Sequence, residues 1–310
     1  MHKLFVALIL VCGLACGIPA AAADLYQQSQ ASWKGQAKEV VGREYKFLVD
    51  PAKTNADMAA AFKDIWMKSK NVAASMGVTV TEREKKPFEL SPTVKTFFDT
   101  PTMDLWKKGY LIRVTTNFKN GYPVSPLRVV VKSLNAPFAK VLGAKLETRG
   151  VAGKVSAEDN VCIGKDGQLA SYVEKGVNFT LGCAELGDMN LAQFGAYVPE
   201  LLKLGLPADT KLYAFPAFGV RCRPGYIKLD GLEQPLAVSM EAWSRTEGGA
   251  PFVYDYSFGY DGDFSQQAEA HKAGEGFMLA LYKKLGDSLG VQNAWRWNGS
   301  KVRMLLNQPL

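Results

Sequence analysis

The sequence predicts an α+β protein built on a closed or nearly closed antiparallel β-barrel of about eight strands with flanking helices. Three observations lead there. Segments that alternate apolar and polar residues recur along most of the 310 residues, with turns between them, which favours antiparallel pairing. Helical periodicity is concentrated in segments early and late in the chain, so helices do not alternate with strands as a parallel sheet requires. And the polar faces of the strands carry mixed acids and bases, as a closed sheet with a polar lumen and an apolar exterior would.

Taken in order, residues 1–23 (MHKLFVALILVCGLACGIPAAAA) have a basic start, a short apolar run and small residues before Asp24. They read as a secretory signal cleaved after Ala23, so the protein is expected to be exported, periplasmic or secreted. No later segment reaches the roughly 20 apolar residues of a membrane span. Residues 24–39 form a polar leader, and 40–310 are expected to form a single tunnel-like domain. Within it, EVVGREYKFLVD gives a strand near Val40–Val49. Asp50-Pro51 opens a helix whose Phe62, Ile65, Trp66, Ser69, Val72, Ala73 and Met76 recur at helical spacing. A strand and turn over 78–90 precede the hairpin VKTFFDTPTMDLWKKGYLIRVTT, then LRVVVKSL and AKLETRG. Residues 151–189, rich in Gly, Asp, Asn and Lys, read as an insertion or long connection, and a divergent insertion is expected around 151–215. A short helix over 190–205 is interrupted near Pro199, three strands follow (KLYAFPAFGVRCRPGYIKL, LAVSMEAWSR, PFVYDYSFGY), and a helix from Ser265 to Leu289 closes the domain.

The chain carries 37 basic and 30 acidic residues, net +7. Loss of 1–23 would remove one lysine and no acid, leaving net +6. The bases are scattered through strands rather than gathered into a patch or tail, which argues against a nucleic-acid surface. Cys162, Cys183 and Cys222 would remain in an oxidising compartment. One disulfide and one free thiol are expected, with Cys162–Cys183 as the pair because both lie in one loop-rich segment; it would contribute on the order of 3 kcal/mol. The thiols show no C-x-x-C spacing, and His271 is the only histidine after residue 23, in a helical segment. A zinc site and a serine–histidine hydrolase both score poorly.

Residues two apart share a strand face. By that rule Glu44 and Lys46 pair; so do Arg128 and Lys132; Lys145, Glu147 and Arg149; Arg221 and Arg223; Glu241, Trp243 and Arg245. Arg113 sits alone among Tyr110, Leu111, Ile112 and Val114. One such stripe is an ordinary wet face; six suggest that they meet inside a barrel. Lysines and arginines in a confined channel suit a phosphate-type polyanion. Interleaved carboxylates would suit Mg²⁺ or Mn²⁺ bridging protein and phosphate oxygens.

The residues then resemble the CYTH family, the triphosphate tunnel metalloenzymes. FFDTPTMDLWKKGYLIRVT is similar to the family hairpin, with Phe98, Asp99, Thr100, Leu105, Gly109 and Arg113 in register and Thr115 where a second arginine is common. GREYK resembles the family's E-x-E-x-K, with Gly42 in place of the first glutamate. LRVVVK, KLETR, FGVRC, VSME and YDYSF resemble the following strands, with Ser257 replacing a second acid in the last. The resemblance implies an eight-stranded tunnel for a triphosphate with a divalent metal. It implies Glu44, Glu147, Glu241 and Asp255 at the metal, with Glu44 or Glu147 orienting water. The basic set for the ligand comprises Lys46, Arg113, Arg128, Lys132, Lys145, Arg149, Arg221, Arg223 and Arg245. With Gly42 and Ser257 each removing a carboxylate, phosphate binding is better supported than catalysis. Three functions follow: a Mg²⁺- or Mn²⁺-dependent triphosphatase, a non-catalytic binder of an anionic small molecule such as polyphosphate, or a structural envelope protein whose lumen charges pair among themselves.

Overall fold

The computed structural model describes residues 39–163, 167–182, 189–262, 268–290 and 300–307. The signal segment 1–23, nearly all of the polar leader and Cys183 lie outside them. In chain order the strands are β1 (Val40–Val49), β2 (Thr79–Glu82), β3 (Ser91–Asp99), β4 (Tyr110–Lys119), β5 (Tyr122–Ser133), β6 (Lys154–Ile163), β7 (Leu169–Leu181), β8 (Tyr213–Cys222), β9 (Gly225–Lys228), β10 (Leu236–Ala237), β11 (Ser239–Ser244) and β12 (Pro251–Asp261). The helices are α1 (Met58–Ser75), α2 (Asp104–Lys107), α3 (Phe138–Gly143), α4 (Leu191–Tyr197), α5 (Ala268–Leu289) and α6 (Lys301–Leu305).

Nine strands close a barrel in the order β1-β12-β11-β8-β3-β4-β5-β7-β6, and β10-β9-β2 form a separate small sheet. All barrel neighbours are antiparallel except β1 and β6, which run parallel and close the ring. The expected barrel is therefore present with one more strand and one parallel seam. The extra strand comes from the stretch read as an insertion: β6 and β7, both inside 151–215, are consecutive barrel strands paired over the full length of β6. AKLETRG, expected as a strand, is irregular chain with Lys145, Glu147 and Arg149 exposed. Its alternation is real, but Leu146 and Ala144 use it to pack beneath α4 on the barrel exterior.

Local chemistry sets the remaining boundaries. Pro51–Lys53 is a single 3-10 turn, and α1 starts only at Met58, where the Asp57 carboxylate accepts from Ala60 N at 2.7 Å. The predicted strand 211–229 divides at Arg223-Pro224, since proline cannot donate to the ladder, and its second half joins the small sheet as β9. Between β3 and β4, Asp99 accepts from Thr100 N (2.7 Å), Leu105 N (2.9 Å) and Trp106 N (2.9 Å), fixing the turn and the start of α2. Gly109 follows at φ +85°, and a Cβ there would stand 2.7 Å from Leu134 O. The strongest sequence signature is thus a structural knot that fixes the register of Arg113 on β4.

The barrel exterior is apolar and covered. Tyr45, Phe47, Tyr254, Tyr256 and Phe258 pack under Phe62, Ile65 and Trp66 of α1 and Phe277, Met278 and Leu281 of α5. On the other side, Ile112, Val114, Val129, Val131, Val177 and Phe179 pack against α4 and the turn at Pro199–Lys203. A third cluster lies across one end of the barrel: Leu48, Phe97, Leu111, Trp243 and Val253 meet Leu134, Leu305 and Leu306. Apolar residues therefore seal both the wall and one mouth, and the charges left between them line a closed-ended lumen.

Candidate functional site: the lumen of the barrel

Strand register decides what faces inward. Gly42, Glu44 and Lys46 of β1 lie beside Asp261, Gly259 and Ser257 of β12, and Leu48 lies beside Asp255. Asp255 stands directly opposite Glu241 on β11, and Glu241 opposite Arg221 on β8. Arg113 on β4 lies opposite Phe97 on β3, and Arg128 and Lys132 follow on β5. Glu158 on β6 and Glu174 on β7 face each other and complete the ring. The enclosed cavity has a volume of about 700 Å³. Its lining includes eight basic side chains (Lys46, Lys95, Arg113, Arg128, Lys132, Arg221, Lys301, Arg303) and five acidic ones (Glu44, Glu158, Glu174, Glu241, Asp255). A surplus of three basic groups gives the lumen a positive field, which suits an anion.

Most of the carboxylates are already spoken for. Lys46 is 2.9 Å from Glu44. Burial alone would raise the Glu44 pKa, but the Lys46 ammonium holds it down to about 2. Lys132 is bonded to Glu174, and burial opposes but does not prevent the resulting fall in the Glu174 pKa. Lys95 donates to Glu241 Oε1, while Lys301 donates to Glu241 Oε2 at 2.8 Å and to Asp255 Oδ2 at 2.5 Å. Despite burial, Lys301 and Lys95 keep Glu241 ionised well below the usual carboxylate range. Glu158 differs: no ion pair reaches it among the described residues, and burial raises its pKa.

The arginines are the least satisfied groups. Among the described residues Arg113 has no carboxylate in contact and its buried Nε has no hydrogen-bond partner; burial together with Arg128 lowers its pKa. Arg221 Nε is also unpartnered, and its nearest carboxylate contact is 3.6 Å to Glu241. Among the described residues nine buried side-chain atoms lack partners. Seven belong to inward-facing residues: Thr93 Oγ1, Arg113 Nε, both polar atoms of Asn160, Arg221 Nε, Trp243 Nε1 and Asp255 Oδ1. Orphaned polar atoms are costly, and five of the seven belong to residues that line the cavity, which suits a polar occupant.

The sequence-predicted residues divide sharply. Glu44, Lys46, Arg113, Arg128, Lys132, Arg221, Glu241 and Asp255 all line the lumen. Lys145, Glu147 and Arg149 do not; they belong to exposed chain outside the barrel, which removes Glu147 from both its expected roles. Arg223 falls just past the end of β8 and is exposed. Arg245 follows an irregularity in β11 that turns it away from its expected face. It stacks on Phe252 and donates to Met304 O (2.8 Å) and Leu305 O (2.9 Å), fastening the C-terminal end of α6.

Five lumen charges escaped sequence reading: Lys95, Glu158, Glu174, Lys301 and, two residues beyond it, Arg303. Lys95 obeys the same two-residue rule as Arg113, in the same hairpin. Glu158 and Glu174 lie in well-alternating strands that their Gly, Asn and Lys content disguised as a connection. Lys301 comes from a helix at the barrel mouth, for which strand alternation gives no signal. Glu158 also explains Gly42. The two are register partners, and a Cβ at residue 42 would stand 3.3 Å from Glu158 Cγ and 2.9 Å from Asp261 Oδ1. The carboxylate missing from β1 is supplied from across the seam.

The residues do not fit the expected divalent metal. Mg²⁺ prefers several free oxygens in near-octahedral array, yet Glu44, Glu174, Glu241 and Asp255 each hold a lysine, and Glu147 is outside. Among the described residues no three potential ligands converge. The thiols are also unlike the expectation: Cys162 and Cys222 are free and buried, and burial pushes them up to about 12 and about 11. Cys162 donates to Ala170 O at 3.5 Å.

No protein-family model and no curated protein matches the chain. Solved structures similar to it include a Hippeastrum protein provisionally named an adenylyl cyclase and described as having a dominant triphosphatase activity, at 12% identity and TM-score 0.41, covering 86% of this chain and 96% of that one. A provisionally named adenylate cyclase of Bacillus halodurans shares 12% identity at TM-score 0.37 over 77% and 91%. A Pyrococcus horikoshii protein shares 12% at TM-score 0.38 over 85% and 98%. No helix among the described residues is long and apolar enough to cross a membrane.

Proposed function

We propose that the protein binds a triphosphate- or polyphosphate-type anion in the barrel lumen. One observation carries this reading: Arg113 is an enclosed guanidinium with no carboxylate partner among the described residues, in a cavity where basic groups outnumber acids by three. A planar guanidinium donor fork matches phosphate oxygens, and Arg128 and Arg221 face the same space. The exported setting read from residues 1–23 belongs to this proposal and favours inorganic tripolyphosphate or polyphosphate, since nucleoside triphosphates are scarce outside the cytoplasm. The test is a thermal-shift and calorimetric titration of the protein with tripolyphosphate. A rise in Tm with saturable binding is expected; no change up to millimolar ligand refutes the reading.

Hydrolysis is the second reading, and Glu158 favours it. A carboxylate without an ion pair among the described residues and raised by burial, at the edge of a basic cavity, has the character of a proton-transfer group. Glu44, held ionised by Lys46, is placed to orient water rather than to take a proton. Phosphate release from tripolyphosphate that Glu158→Gln abolishes, with binding retained, would establish an enzyme; binding without release would establish a binder.

A further inference from the structure

We propose that the ammonium of Lys301 is the resident counter-cation of Glu241 and Asp255, standing where a divalent metal would bridge them, so that the lumen accepts its anion without a metal. The second half of this statement rests on the anion-binding reading above; the first does not.

Glu241 and Asp255 are register partners on β11 and β12, and both are almost fully buried. Burial, with Glu241 opposite, raises the Asp255 pKa, and two carboxylates so close and so dry cannot both ionise without a cation between them. Lys301 Nζ provides it, 2.8 Å from Glu241 Oε2 and 2.5 Å from Asp255 Oδ2, over the face of Trp243 at 4.8 Å. Burial would lower the lysine pKa, but Asp255 and Glu241 raise it, so the ammonium stays charged. Lys95 takes the remaining oxygen of Glu241, leaving Asp255 Oδ1 as the one unpartnered oxygen of the pair. A metal entering here would have to displace Lys301 from both carboxylates.

The lysine is also anchored. Leu305 and Leu306 pack into the cluster that seals the barrel mouth, and Arg245 bonds the carbonyls of Met304 and Leu305. Ser300 Oγ accepts from Arg303 N at the start of the helix. The chain thus carries its charge-compensating cation on a docked helix. That arrangement changes the economy of the site: the carboxylates no longer repel an incoming polyanion, and Arg113, Arg128 and Arg221 are left to bind it.

The test uses the full chain, with Mn²⁺ followed by its free electron-spin signal and tripolyphosphate binding followed by calorimetry, in EDTA and in Mg²⁺. Wild type is expected to take up no Mn²⁺ at the lumen and to bind tripolyphosphate with Kd values within about threefold in the two buffers. Lys301→Met, checked for folding by its Tm, is expected to gain a Mn²⁺ site and to lose at least about tenfold in tripolyphosphate affinity in EDTA, with recovery in Mg²⁺. Lys301→Arg should behave as wild type. Stoichiometric Mn²⁺ binding by wild type, abolished by Glu241→Gln, overturns the proposal; so does tripolyphosphate binding that EDTA abolishes. If wild type binds tripolyphosphate in neither buffer, the anion reading fails, and the Mn²⁺ arm upholds or overturns the lysine assignment alone. The wild-type arms need no variant to fold.

Discussion

Replacing Arg113 by methionine should move stability and affinity in opposite directions. In the apo protein the guanidinium is enclosed and faces Arg128 and Arg221, and among the described residues it has no acidic partner and no acceptor for its buried Nε. An unpartnered buried donor costs about 1–3 kcal/mol, and methionine removes that cost while keeping most of the stem that packs near Phe97. Allowing for lost packing, the apo protein should gain about 1 kcal/mol, or about 2–4 °C in Tm. With anion present the sign reverses. A charge-assisted hydrogen bond to phosphate contributes about 1.5–3 kcal/mol, so tripolyphosphate affinity should fall about 10- to 150-fold. Differential scanning calorimetry of the apo variant and isothermal titration with tripolyphosphate read the two effects separately. An apo variant destabilised by more than about 1 kcal/mol with unchanged affinity would refute the reasoning, because Arg113 would then be a structural residue whose partner the lumen hides.

Lys95 gives a pH signature. Burial first, then Lys301, Arg113 and Arg221, outweigh Glu241 and push its pKa from the ordinary 10.5 down to about 7. Between pH 7 and about 10 the folded state therefore holds fewer protons than the unfolded one, so apo stability from this group rises with pH. Affinity for a polyanion should fall over the same range, with proton uptake on binding near pH 7.5; buffers of different ionisation enthalpy will show it, and Lys95→Met should abolish the uptake. Outside the barrel, Arg43 joins Asp159 (3.0 Å) and Glu275 (2.9 Å) under α5. Arg43→Met should cost about 3–5 kcal/mol in urea unfolding, because two acids lose their counter-ion, with Asp159 fully buried. Tripolyphosphate affinity should not change, and a matching loss there would mean that the lumen and α5 are coupled.

The sequence showed more of the lumen than of the metal. On β1, β5, β8 and β11 two-residue alternation placed Glu44, Lys46, Arg128, Lys132, Arg221 and Glu241 inside. The same rule failed for Lys145, Glu147 and Arg149. They alternate just as well, but their chain lies on the exterior, where Leu146 packs beneath α4. It also passed over β6 and β7. Gly176 and Asn178 weaken strand propensity there, and pairing along β5 compensates for them. Arg245 was misplaced by a single irregularity in β11, since one residue of slip exchanges the two faces of a strand.

Alternation, hairpin chemistry and composition are local properties, so the sequence by itself determined that a polar face and an apolar face run along most strands, and that the knot at Asp99 sets the register of Arg113. Which charges meet was decided only by closure of the barrel. Lys95 and Glu241 are 146 residues apart, and Lys301 and Glu241 are 60 apart. Whether a carboxylate is a metal ligand or half of an ion pair depends on its neighbours within a few ångströms, because in a dry cavity the energy of a charge is set by what faces it. Glu158 filling the place beside Gly42, and Lys301 filling the place between two acids, exist only once the strands have closed and the helix has docked.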